Sequence, residues 1–186
     1  MNKVLNKDKN LTRILAVFIV CFVLFSVTQG KSFLSVSSFQ SMGKLFPEFG
    51  LLSIGMALAL LTGGIDLSVV YTANLCSIMA ALTIKAMTPE GDAGVGAILA
   101  GVVVALIVGM ICGSLNGLLI SAVGIPAMLA TLGTQSLYNG LGVVASNGSS
   151  VTGCKPLSAF ISGKLLGIPM AAILFLICAA IMIFVI

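Results

Sequence analysis

Long apolar runs separated by short polar stretches dominate the chain. A membrane helix needs about 20 apolar residues, rising about 1.5 Å each, to cross about 30 Å of hydrocarbon. Counted against this length, the apolar runs predict an all-α fold, a polytopic transmembrane helical bundle of about six spans. The approximate bounds are Thr12 to Gln29, Phe49 to Thr62, Leu67 to Met87, Val95 to Val123, Pro126 to Ala145, and Leu166 to the end of the chain.

The polar stretches between these runs predict the loops. Lys31 to Glu48, Thr88 to Asp92 and Ser146 to Lys164 carry the turn-forming and charged residues typical of solvent loops. The second run, Phe49 to Thr62, has 14 residues and would reach only about 21 Å as a helix. Either the bilayer or the helix adjusts, or Thr62–Gly64 is a break at membrane depth, a device that forms substrate sites in transporters.

The composition excludes a water-soluble fold. Hydrophobic residues make up 59% of the 186 residues and charged residues only 8%, whereas a soluble domain is about 25% charged. So few ionisable side chains cannot cover the surface of a soluble domain of this length. The solvent for most of the chain is therefore predicted to be lipid, in a bacterial plasma (inner) membrane.

The positive charge is concentrated at the N-terminus. The net charge is +4, and four cations lie before or at the start of the first apolar run, namely Lys3, Lys7, Lys9 and Arg13. This arrangement indicates a cytoplasmic N-terminus rather than a nucleic-acid surface. Alternation then places the three polar loops outside and the turns near Gly64 and Gly124 inside. The first run could also be the core of a secretory signal, but no A-x-A-like cleavage site follows it.

The five cysteines indicate no special chemistry. None shows a CxxC spacing, and the chain has no histidine. The sequence therefore predicts no disulfide framework, no metal site and no cofactor.

Asp66 is the only acidic residue between Glu48 and Glu90. An unpaired carboxylate in lipid costs several kcal/mol, so its surroundings must compensate it. One interpretation is a helix cap, in which two glycines end one helix and Asp66 accepts hydrogen bonds from the amides that open the next. The other is that Asp66 faces the transport route or a coupling surface, and the two are compatible.

Small residues recur at every fourth position of the fourth run. This small-xxx-small pattern lets helices approach closely, and it includes consecutive GxxxG units. Because four residues turn about 400°, the stripe drifts around the helix and must serve more than one neighbour. Asn116, beside the last glycine, is predicted to bond to an adjacent helix or to line a route. The glycines assigned to helix packing are Gly101, Gly109, Gly113 and Gly117.

The fifth run carries six polar residues between Thr131 and Asn139. At spacings of three and four, Thr131, Gln135, Tyr138 and Asn139 share one face of a helix. This face predicts either interhelical hydrogen bonding or a wet surface for a hydroxyl-rich solute, which needs donors and acceptors but no ionised group.

Three ordered motifs between about Leu51 and Thr152 resemble the ribose/xylose/galactose-type ABC transporter permease family. Together they are specific, although each alone is weak. They are Leu60-Leu61-Thr62-Gly63-Gly64-Ile65-Asp66-Leu67-Ser68-Val69, Gly113-Ser114-Leu115-Asn116-Gly117-Leu118-Leu119-Ile120, and Ile125-Pro126-Ala127 with Ala130-Thr131-Leu132-Gly133-Thr134 and Asn139-Gly140-Leu141.

The resemblance implies a transport subunit that performs no chemistry itself. Such a permease pairs with a second permease subunit, sits on cytoplasmic ABC ATPase subunits and receives its solute from an extracytoplasmic solute-binding protein. Permeases of this family are much longer. Residues 1–186 therefore resemble a single transmembrane domain forming the N-terminal part of a permease, as a fragment, a truncated frame or one part of a split permease.

The function predicted from sequence is the translocation pathway of an ATP-driven importer for a monosaccharide or similar polar solute. The candidate pathway residues are Asp66, Asn116, Thr131, Gln135, Tyr138 and Asn139. Two alternatives stay open at this point. One is an autonomous channel or secondary carrier for a small neutral solute, and the other is a truncated remnant that inserts without transporting.

Overall fold

The computed structural model describes residues 9–88, 94–151, 164–165 and 168–185. Within these ranges the chain forms six helices and one short hairpin, which confirms the all-α prediction. The helices are α1 (Lys9–Gln29), α2 (Val36–Leu61), α3 (Val69–Met87), α4 (Val95–Ser121), α5 (Ala127–Ala145) and α6 (Met170–Val185), and the two-residue strands of the hairpin are β1 (Lys164–Leu165) and β2 (Ile168–Pro169).

Four of these helices, α1 to α4, are long and apolar enough to cross a membrane. Helix α5, like α3, is 19 residues long, but it carries the polar residues noted above. Helix α6 contains a shorter apolar segment, Met170–Ile183. The count of about six spans agrees with these six helices.

Helix α2 corrects the prediction for the first loop and the second span. The helix has 26 residues, about 39 Å, and occupies most of the stretch that was predicted to be a loop, Lys31 to Glu48. Ser35 stabilises its first turn, because the amide of Ser38 donates to Ser35 Oγ at 3.3 Å. Pro47 lies inside the helix, where the loss of one backbone donor is tolerated in membrane helices. The second span is therefore not short.

The predicted break after α2 is confirmed. The helix ends at Leu61, and Gly63 adopts a φ of +84°, which favours glycine. A Cβ on Gly64 would lie 2.7 Å from the Cβ of Ala127, so the glycine permits close approach of the break to the start of α5. On the same side of the helices, the turn between α4 and α5 contains Gly124 at a φ of +78°.

The chain divides into two compact units, Met1–Leu45 and Phe46–Ile186. In the first unit, α1 exposes apolar side chains such as Val17 and Val27. Phe22 and Phe25 contact Phe33, with ring centroids 5.5 Å and 5.9 Å apart. These contacts fold the segment after α1 back onto the helix.

The second unit is built around α3, α4 and α5, which pack against one another. Its core consists of Leu75 on α3, Cys112 on α4 and Tyr138 on α5. Helix α6 also belongs to this unit, and its Phe175 ring lies 5.6 Å from that of Phe46 and occupies the space left by Gly50.

The small-residue stripe of α4 divides between two faces of the helix. At Gly101 a Cβ would lie 2.7 Å from Ile84 Cγ1 and 3.1 Å from the carbonyl oxygen of Ala80, so this glycine permits close approach of α3. Gly109 makes an ordinary contact with Cys76 Sγ at 3.5 Å.

The later part of the stripe is exposed. A Cβ on Gly113 or Gly117 would meet nothing within 4 Å. The physical reason is the drift of about 40° per four-residue step, which carries Gly113 about 120° round the helix from Gly101. In this part of α4 the buried side chains are those of Cys112 and Asn116.

Candidate functional site

The break between α2 and α3 forms one wall of a cleft of about 440 Å³, here called the break cleft. The opposite walls come from the end of α4 and the start of α5. The lining residues that carry polar side chains are Thr62, Asp66, Asn116 and Thr131. Three of the predicted pathway residues therefore lie around one cavity.

Asp66 accepts two hydrogen bonds through one carboxylate oxygen. The backbone amide and the hydroxyl of Ser68 donate to Asp66 Oδ1 at 2.8 Å and 2.6 Å. The amide bond is the interaction that the capping interpretation predicts, although the N-cap position of α3 is Ser68 itself. Asp66 Oδ2 accepts no hydrogen bond from any residue that the structure describes, so this oxygen is available to the break cleft.

Ser68 connects Asp66 to α4 and α5. Its side chain is fully buried, and its hydroxyl oxygen accepts a hydrogen bond from Asn116 Nδ2 at 2.8 Å. The hydroxyl of Tyr138 lies 3.3 Å from Asn116 Oδ1 and 2.8 Å from the carbonyl oxygen of Cys112. The four side chains, Asp66, Ser68, Asn116 and Tyr138, form one hydrogen-bonded chain, here called the polar network.

Thr131 holds the broken backbone in place. Its side chain is 1% exposed, and its Oγ1 accepts a hydrogen bond from the amide of Leu67 at 3.2 Å. The same oxygen lies 3.1 Å from the carbonyl oxygen of Ile65 and 2.8 Å from that of Ala127, so the hydroxyl can donate to either. This contact satisfies backbone groups that the break removes from helical pairing.

The predicted polar face of α5 is only partly buried. Thr131 and Tyr138 are buried together with Thr134, whereas Gln135 is half-buried and Asn139 is exposed. Gln135 and Asn139 lie about 40° and 80° round the helix from Thr131, which turns them away from the packed face. Gln135 lines neither the break cleft nor the second cavity described next.

A second cavity of about 570 Å³, here called the polar cleft, lies between α3 and α5. It is near the end of α5, whereas the break cleft is near its start. The polar side chains that line it are Asn74, Ser77, Asn139, Ser146, Ser149 and Ser150. Asn139 is therefore the one predicted pathway residue that lies at this cavity.

Three residues of the site were not predicted from the sequence. Ser68 belongs to the polar network, and Asn74 and Ser77 line the polar cleft. The signal for Ser68 was its position two residues after Asp66, where a carboxylate commonly accepts the amide of a turn. Asn74 and Ser77 carried a weaker signal, namely polar residues three apart on an apolar helix.

The apolar exterior, the broken helix and the enclosed polar side chains define a multi-pass membrane protein of the transport class. The chain belongs to the family described as branched-chain amino acid transport system / permease component, which it matches over residues 40–186. This confirms the family relationship that the motifs predicted. Members of the family are transport subunits rather than enzymes, and in a bacterium they lie in the plasma (inner) membrane.

Curated relatives include the autoinducer 2 import system permease protein LsrC of Yersinia pseudotuberculosis serotype O:3 (strain YPIII) and that of Yersinia pestis (strain Pestoides F). Each is 32% identical over 153 residues, which cover 82% of this chain and 41% of the relative. The chain thus spans about two fifths of the length of these relatives. No solved structure matches it significantly.

Proposed function

We propose that this chain forms part of the translocation pathway of an ATP-driven importer for a monosaccharide or a similar small, uncharged, hydroxyl-rich solute. The observation that carries the proposal is the break cleft, where the turn between α2 and α3 places backbone groups and Asp66 beside a cavity in a permease of this family. Non-helical backbone that lines a cavity between membrane helices is a recurrent means of building solute sites in transporters.

The chemistry of the two cavities supports an uncharged solute. Their polar side chains are hydroxyls and amides, with Asp66 as the only ionisable group among the lining residues. Hydroxyls and amides supply donors and acceptors without charge, which suits a sugar. No lysine or arginine lines either cavity among the residues that the structure describes. The relatives named above import autoinducer 2, as their names state.

The partners follow from the family. We propose cytoplasmic ABC ATPase subunits, a second permease subunit and an extracytoplasmic solute-binding protein, with the bundle alternating between outward-open and inward-open states. Asp66, Asn116 and Thr131 would act at the break cleft and Asn139 at the polar cleft. Tyr138 lies in the buried core with Leu75 and Cys112 and lines neither cavity.

Reconstitution in liposomes tests the proposal. The permease assembly containing this chain, with its ATPase and binding protein, is expected to accumulate D-ribose or autoinducer 2 only when ATP is inside the liposome. Uptake that follows the solute gradient without ATP would favour a channel or secondary carrier instead. Accumulation of L-leucine in place of both neutral solutes would overturn the assignment of the solute class.

A further inference from the structure

The polar cleft contains two carboxamide side chains with no partner. Asn74 on α3 and Asn139 on α5 both line it, and neither side chain makes a hydrogen bond with any residue that the structure describes. Asn116, in contrast, donates to Ser68 at 2.8 Å and lies 3.3 Å from the Tyr138 hydroxyl. Both residues are exposed, and their amides therefore keep their full hydrogen-bonding capacity at the lining of one cavity.

Lipid is a poor partner for these amides. Polar side chains at membrane depth that lack an internal partner face a cavity or a pathway, because hydrocarbon offers them no hydrogen bonds. Asn74 lies in the first third of α3 and Asn139 in the second half of α5, where the exposed apolar residues Leu137 and Leu141 flank Asn139 in sequence. Their placement is therefore costly unless water or a solute occupies the cleft.

The hydroxyls of the cleft add acceptors to this arrangement. Ser77, Ser146 and Ser149 each donate to a backbone carbonyl of their own segment, at 2.8 Å, 3.2 Å and 2.9 Å. The hydroxyl oxygens keep lone pairs that can accept, and each free amide offers two N–H donors and one carbonyl oxygen. The cleft thus presents alternating donors and acceptors without charge, in a volume of about 570 Å³ that lies within the range of small-molecule sites.

Neither cavity is lined by the residues of the buried core, here called the packed layer. Leu75 on α3, Cys112 on α4 and Tyr138 on α5 form the buried core, and Tyr138 is fixed by its hydrogen bond to the carbonyl oxygen of Cys112. Thr131 and Asn139, which line the two different cavities, are eight residues apart and about 12 Å apart along α5. On the topology that the basic N-terminus predicts, the polar cleft is on the outer side.

We infer that the polar cleft is a distinct solute-binding subsite, in which Asn74 and Asn139 hydrogen-bond an uncharged polyhydroxylated solute before it reaches the break cleft. The inference rests on the proposed function for the identity of the solute. It assigns the first contact to Asn74 and Asn139 and leaves the polar network to hold the helices together.

Protection of an introduced cysteine tests the inference. The permease is prepared with its five native cysteines replaced, and Asn139→Cys is labelled with N-ethylmaleimide in the absence and presence of D-ribose. Labelling is expected to slow about tenfold when D-ribose is about tenfold above its Kd. Ser146→Cys is a second reporter in the same cavity, and it serves if Asn139→Cys does not fold.

Matched positions control for indirect effects. Ser121→Cys is exposed at the far end of α4 and lines neither cavity, so its labelling rate should not respond to D-ribose. Adding Asn74→Leu to the Ser146→Cys background should raise the D-ribose concentration that halves the labelling rate about tenfold, the loss of affinity expected for one hydrogen-bonding side chain. Ser136→Ala, on the exposed face of α5, should leave protection unchanged.

The outcomes separate this inference from the proposed function. ATP-driven D-ribose uptake without D-ribose protection at either cysteine would overturn the subsite alone. Undiminished protection in the Asn74→Leu background would overturn the role of the amides. Protection by L-leucine, with neither protection nor uptake for D-ribose, would overturn the subsite and the proposed solute class together.

Discussion

The break cleft and the polar cleft are both lined by α5, but they use polar side chains in opposite ways. At the break cleft, Asn116 donates to Ser68, and Thr131 bonds to the backbone of Leu67 and Ile65. At the polar cleft, Asn74 and Asn139 have no bonding partner among the described residues. The role of a polar residue in a membrane bundle therefore depends on the hydrogen-bonding capacity that its neighbours leave unused, and not on its polarity alone.

The largest effect is expected for Asn116→Leu. Leucine is close in shape but removes the donor to Ser68 and the acceptor near Tyr138. A buried group left unpaired costs about 1–3 kcal/mol, so the free energy of unfolding should fall by that amount. Unfolding of the purified protein in mixed micelles measures it. The matched change Asn139→Leu should alter stability by less than about 0.5 kcal/mol, because it breaks no bond. Equal losses of unfolding free energy in the two variants would show that Asn116 and Asn139 do not differ in their bonding to the protein.

Asp66 should give the next largest effect, and two substitutions separate its roles. Asp66→Ala removes the acceptor for the Ser68 amide and should cost about 0.5–2 kcal/mol of stability. Asp66→Asn keeps a side-chain oxygen that can accept this bond, so stability should stay close to wild type. If the free Oδ2 serves the break cleft, Asp66→Asn should still reduce ATP-driven uptake. Full uptake by Asp66→Asn would leave Asp66 as a cap only.

Tyr138→Phe should lower the free energy of unfolding by a smaller amount. Hydrogen bonds between membrane helices contribute about 0.6 kcal/mol on average and at most about 1.7 kcal/mol. The change removes the bond to the carbonyl oxygen of Cys112 without altering the packing of the ring. Tyr71→Phe is the matched control, because Tyr71 packs against the same core and its hydroxyl has no partner within the described residues. Thermal unfolding of the two variants compares them directly, and equal midpoints would show that the Tyr138 hydroxyl does not stabilise the layer.

Local chemistry made the break predictable from sequence. Gly63 and Gly64 permit a positive φ and a close helix approach, and Asp66 follows with an acceptor for the next amide. These preferences act over a few residues and need no knowledge of the rest of the fold. The start of α2 was missed for the opposite reason. A serine-rich segment with Pro47 is typical of a loop in water, whereas in a membrane helix the same residues can satisfy their own backbone.

The polar network could not be predicted because its partners are distant in sequence. Asn116 bonds to Ser68 across 48 positions and Tyr138 reaches Asn116 across 22. Helical periodicity identified the polar arc of α5, but it could not show which members of that arc meet α4. Which members meet α4 depends on the face that α4 presents where it passes α5. A four-residue pattern moves round that helix by about 40° at each step.

The smallest effects on stability and on uptake are expected for a substitution at Gln135. Gln135 lies between the two clefts along α5, is half-buried, lines neither cavity, and makes no side-chain hydrogen bond with the described residues. Gln135→Leu should therefore change the free energy of unfolding by less than about 0.5 kcal/mol. Its uptake rate should stay well above that of Asn139→Leu, which removes a proposed solute contact four residues further on. Initial rates of ATP-driven D-ribose uptake, measured at equal protein content, compare the two variants. If Gln135→Leu instead loses uptake as fully as Asn139→Leu with normal stability, the solute passes along the face of α5 that carries Gln135. The two clefts would then be the ends of one route that passes Gln135 beside the Tyr138 layer.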